Sequence, residues 1–167
     1  MVVKEILGNI PSDQKADRPI DLIQIEWYEA TKRIQRLRSD SGVEVAIKFL
    51  KEGQRLREGD ILVESPEALL MVHIKPCEAI VIQPTSMLEM GTVCYEIGNK
   101  HMPLFIQGDE VLMPFEMPMY RWLEASGYKP SRHERQLLHL LKSNVEPHQH
   151  GGTSLFSKIM NLAAGKE

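Results

Sequence analysis

Between Val43 and Phe49 the chain alternates, Val43-Glu44-Val45-Ala46-Ile47-Lys48-Phe49, with apolar side chains at every second position. That period sends one set of side chains to a core face and the other toward water, so it predicts a half-buried strand. Asp40-Ser41-Gly42 reads as the turn before it, and Gly53 and Gly59-Asp60 punctuate the residues after it. Ile61-Leu62-Val63 then resumes strand character. An all-β first domain over residues 1–73 is the simplest account.

The rhythm then changes. Ala79 to Ile82 is a short apolar run ending at Pro84, followed by Ser86-Met87-Leu88-Glu89. A serine three residues before a glutamate marks a helix start, because each side chain can satisfy an orphan amide. Gly98 suits the left-handed position just past the end of that helix. Met102 to Ile106 and Val111 to Phe115 predict two strands, with Gly108-Asp109 as a two-residue hairpin loop. Pro118 can open a second helix, since its missing amide donor is not needed there. Gly127 would close it, and Tyr128 to Gln136 supplies a last strand. Strand, helix, strand, strand, helix, strand is the ferredoxin-like βαββαβ order, expected over residues 74–142. Overall the chain reads as α+β. Residues 143–167 form a polar, flexible tail in which Leu155, Ile159 and Leu162 fall on one helical face.

Composition adds limits. The 167 residues carry a net charge of −3, which argues against a polyanion binder. No aromatic-rich RNA-binding pattern falls on the expected strands, so no nucleic-acid partner is expected. The longest apolar run, Ala68 to Val72, is too short to span a membrane, and no signal region opens the chain. A cytoplasmic protein with reduced thiols at Cys77 and Cys94 follows, both read as structural. Eight basic residues between Lys32 and Arg57 face three acidic ones, either a solvated face or a docking surface for an acidic partner.

Six histidines offer candidate chemistry. His148-Gln149-His150, flanked by Pro147 and Gly151, can bring two imidazoles to one ion, or be two solvated side chains. His101 lies where a helix cap passes into a strand. His73, His133 and His139 have no partner at a ligand spacing. Neither an HExxH motif, a serine-nucleophile elbow, a P-loop nor a dinucleotide fingerprint is present.

Gly98-Asn99-Lys100-His101-Met102-Pro103-Leu104-Phe105-Ile106, followed by Gly108-Asp109-Glu110-Val111-Leu112, closely resembles the GN[RK]HxP core of UreE-type urease accessory proteins. Leu37 to Gly42 and Leu56 to Leu62 are similar to that family's first domain. The resemblance implies an Hsp40-like peptide-binding β domain followed by a ferredoxin-like domain that binds metal and dimerises. It implies a nickel metallochaperone, not an enzyme, acting with a GTPase accessory protein on the urease apoprotein complex. His101 would bind metal across the axis of a homodimer, or within a higher oligomer, and His148 and His150 would complete the ligand set. Zinc or copper can substitute at such nitrogen ligands. Family tails are often strongly His-rich, and this one has only His148 and His150, so one interchain site is expected rather than nickel storage. The alternatives are a metal-independent peptide-holding chaperone and a zinc-dependent enzyme.

Overall fold

The computed structural model describes residues 1–50 and 53–141. The described residues of the first half form seven strands: β1 (Val2–Val3), β2 (Gly8–Asn9), β3 (Ile20–Ile25), β4 (Ile34–Arg38), β5 (Glu44–Lys48), β6 (Asp60–Glu64) and β7 (Leu69–Ile74). A 3-10 turn at Glu29–Thr31 is the one helical interruption among the described residues of this half. The alternation read in the sequence is realised in β5, where Val45 and Ile47 are buried and Glu44 and Lys48 exposed.

One sheet has the order β1-β5-β4 and the other β2-β6-β7-β3. Within the second, β3 and β7 run parallel from Ile20 opposite Leu69 to Ile25 opposite Ile74. The two inner faces share one core containing Ile23, Ile25, Val45, Ile47, Leu62 and Val72. A tight corner between β2 and β6 depends on glycine. Gly59 has φ +79°, and a Cβ there would sit 2.1 Å from the Ile10 carbonyl oxygen. Beside it, buried Asp60 accepts from Asn9 Nδ2 at 2.8 Å and from the Arg57 amide at 2.7 Å. Burial pushes the Asp60 carboxyl up, and those two donors oppose the shift.

The second half contains β8 (Cys77–Ile82), α1 (Met87–Asn99), β9 (Phe105–Gln107), β10 (Glu110–Pro114), α2 (Met117–Ala125) and β11 (Ser131–Arg135). Its sheet has the order β11-β8-β10-β9, with every neighbouring pair antiparallel. This is the ferredoxin-like arrangement expected from the element order. Gly108 takes φ 62° in the hairpin, where Glu110 pairs with Gln107. Pro118 lies in the first turn of α2, and Gly127 follows its end with φ 89°.

Both helices cover one face of the sheet, where Ile80, Ile82, Val111 and Met113 meet Val93, Ile97 and Leu123. On the opposite face Ala79, Val81, Phe105, Leu112 and Leu137 meet Trp27 of the first half. The Trp27 and Phe105 rings pack edge to face, 5.5 Å between centroids at 85°. Gln136 donates to the Ile74 carbonyl at 2.7 Å, and Leu138 packs against the first-half core. The two halves are therefore joined by an apolar seam with a hydrogen bond at its edge.

Three local expectations need correction. Helix α1 does not end at Gly98; it runs through Asn99, with Lys100 as its C-cap. The left-handed position after the cap is filled by His101, with φ 56°. Glu89 accepts from Thr85 rather than from the Ser86 amide, so the reciprocal bond reaches one residue further back. Strand β9 starts at Phe105 instead of Met102, because Met102 packs partly against the helix-covered core before pairing begins.

Candidate metal centre

The site is built from α1 outward. Ser86 has extended backbone and its hydroxyl accepts from the Glu89 amide at 3.1 Å, which fixes the start of the helix. Hydrogen bonds from the Thr85 hydroxyl and amide hold the Glu89 carboxyl below its ordinary value. Val93 and Ile97 point into the core. The outer face is unusual. Met87, Leu88 and Tyr95 are 86%, 81% and 71% exposed. Gly91 and Gly98 share that face at helical spacing, and a Cβ on either would meet nothing within 4 Å.

At the far end the Lys100 amide donates to Ile97 at 3.0 Å and the His101 amide to Gly98 at 2.9 Å. A left-handed backbone is uncommon outside glycine, and histidine is among the residues enriched there. It presents His101 exposed, just beyond the helix C-terminus. The carbonyl end of a helix carries partial negative charge, so a cation there gains about 0.3–1 kcal/mol. Lys100, the fixed cation next to His101, lies over the Trp122 ring, with Nζ 4.0 Å from the centroid. An exposed imidazole at such a terminus suits a divalent, nitrogen-preferring metal.

Among the described residues no group of three or more His, Cys, Asp or Glu side chains is gathered to hold a metal. His101 thus stands alone as a candidate ligand within the described part of one chain. His148 and His150 lie outside the described residues. His73 is engaged elsewhere, with Nδ1 3.0 Å from Glu58 Oε1, and His133 and His139 are exposed. Cys77 and Cys94 are half-buried free thiols, and burial pushes both up, away from the thiolate a metal would need. The sequence reading missed the apolar outer face of α1. Its signal was present: Met87, Leu88 and Tyr95 lie opposite Val93 and Ile97, giving the helix two apolar sides.

Comparison with protein families matches the UreE urease accessory protein N-terminal domain over residues 3–75 and the C-terminal domain of the same family over residues 77–153. The chain belongs to the UreE family of urease accessory proteins. A urease accessory protein UreE of Flavobacterium johnsoniae is 52% identical over 164 residues, covering 98% of this chain and 99% of the relative. That of Actinobacillus pleuropneumoniae is 44% identical over 86% of this chain and 79% of its own length. That of Acetivibrio thermocellus is 39% identical over 90% and 97%. UreE proteins are accessories to an enzyme rather than enzymes, and membership ties this chain to urease maturation. No helix among the described residues is long and apolar enough to cross a membrane.

Proposed function

We propose that this UreE-family chain carries nickel, as a homodimer, to the urease apoprotein during assembly of its active site. The observation that carries the reading is the position of His101, exposed at the end of an uncovered apolar helix face. Glycine inside a helix costs about 0.5–1 kcal/mol relative to alanine, and among the described residues nothing crowds Gly91 or Gly98 so as to require it. A second backbone approaching that face closely gives the two glycines a purpose. Two-fold pairing of α1 with its copy brings two His101 side chains toward one axis, so two imidazoles serve one ion.

His148 and His150 would add the remaining ligands. The Leu141 amide donates to the Leu104 carbonyl at 2.8 Å, so the chain leaves the described region three residues along from His101. His148 follows Leu141 by seven residues, a reach of up to ~25 Å. Ligands on an axis and on a trailing segment release a metal stepwise, which suits delivery more than storage. Zinc or copper would compete for the same nitrogens. The handover takes place in the cytoplasm, with a GTPase accessory protein and the urease apoprotein as acceptor partners. In this reading residues 1–73 and 74–142 act as a docking half and a metal-binding half.

Nickel calorimetry tests the proposal on the whole chain, on His101→Ala and on a chain ending before His148, with mass measured by sedimentation. His101→Ala should lose most binding to the dimer, and the shortened chain should keep weaker binding. Unchanged nickel affinity in His101→Ala, or a monomer at working concentration, refutes it.

A further inference from the structure

The seam between the two halves opens on one side into a groove of about 1040 Å³. Trp27, Ala30, Leu56, Phe105, Leu137 and Leu140 are among its apolar lining, drawn from both halves of the chain. Four charged residues also line it: Arg55, Arg57, Glu58 and Asp60. The two acids are already engaged. Glu58 accepts from the Ile74 amide at 2.6 Å and pairs with His73, and Asp60 is held by Asn9 and the Arg57 amide. Arg55 makes no hydrogen bond or ion pair among the described residues, whereas Arg57 donates its amide to Asp60 and its charge attracts that carboxylate. Burial, then the like charge of Arg57, holds the Arg55 guanidinium below its ordinary value. Among the described residues the acids of this apolar concavity are hydrogen-bonded and Arg55 is not, so the groove offers a cation to a complementary ligand.

We propose that this groove docks an acidic segment bearing bulky apolar side chains, presented by a partner protein and not by this chain. It deepens the accessory role proposed above, and rests on it, by naming what a partner in urease assembly must offer. Charge decides against the chain's own C-terminal segment. Between Ser154 and Ala164 the one charged residue is Lys158, which would meet Arg55 and Arg57 as a third cation. A carboxylate beside Arg55 instead forms a charge-assisted bond where the guanidinium has already lost part of its water, while leucine-sized side chains fill the floor.

Trp27 lies in the groove, and Trp122 is the chain's other tryptophan. The Trp122→Phe form of the whole protein therefore leaves Trp27 as sole reporter. Two peptides of about 12 residues serve as probes, one with leucine at helical spacing and glutamate elsewhere, the other with lysine replacing glutamate. The glutamate peptide should change Trp27 emission saturably and bind about tenfold tighter than the lysine peptide. Arg55→Glu, a substitution at a partly exposed position, should reverse that preference. Three results overturn the proposal: no saturable change with either peptide, an unaltered preference in Arg55→Glu, or much tighter peptide binding once residues 142–167 are removed, which would make the tail the occupant. His101→Ala should bind the peptides as the parent does. Nickel binding and peptide binding can therefore fail separately, and each failure identifies its own proposal.

Discussion

Replacing Gly91 with alanine separates what α1 does for one chain from what it does for a pair. Gly91 lies in the middle of a helix of 13 residues, is exposed, and has nothing within 4 Å of where a Cβ would stand. In a lone chain the substitution has no steric penalty and removes backbone freedom from the unfolded state. The gain is about 0.8–1 kcal/mol. For a chain of this size that raises the melting temperature by about 2–4 °C. If α1 packs closely on its copy, the same methyl group enters the contact from both sides. Overpacking costs about 1–3 kcal/mol, so association weakens about 5- to 150-fold. The two effects have opposite signs and are read by different methods. Melting in dilute protein reports the first, and sedimentation equilibrium across a concentration series reports the second. A stabilised chain whose dimerisation is unchanged or tighter would refute the close approach of the helices.

Two further expectations concern parts away from His101. Gly59→Ala places a Cβ 2.1 Å from the Ile10 carbonyl oxygen at φ +79°, so the corner between β2 and β6 must open; urea unfolding should show a loss of about 3 kcal/mol or more, and a loss under about 1 kcal/mol would contradict it. Glu89 has a carboxyl value lowered from 4.5 by Thr85, so its stabilising contribution is complete above that value and disappears as pH falls through the lower folded one. Thermal melts of Glu89→Gln should therefore lie below those of the parent near neutrality and converge with them in acid; parallel curves down to acid pH would exclude the linkage.

The parts of the fold that carry their own punctuation were legible in the sequence. The alternation at Val43–Phe49, Pro118 at the start of α2, Gly108 in the hairpin and Gly127 after α2 each constrain a few neighbouring residues. The last three, with Ser86 and Glu89 at the start of α1, sufficed for the βαββαβ order of the second half. The end of α1 was misread because glycine is the default left-handed residue, whereas here Gly98 stays helical and His101 takes that conformation. The seam was invisible because Trp27, Phe105 and Gln136 are remote in sequence, and no local period announces that they meet. His101 emerged as a candidate through the motif around it. Its sequence neighbours provide no second candidate ligand, and a site completed by another copy, as proposed above, would leave no spacing to read within one chain.

The seam also has a consequence for recombining its two halves. Trp27 and Ile74 belong to the first half, Phe105 and Gln136 to the second; the two rings pack edge to face, and Gln136 donates to the Ile74 carbonyl. A chimera that splices the first half of one relative onto the second half of another should lose the ring contact wherever either ring is replaced, while the bond to the Ile74 backbone carbonyl depends on Gln136 alone. The join thus makes the two halves one mechanical unit, since the aromatic contact across it exists only when both halves supply their ring.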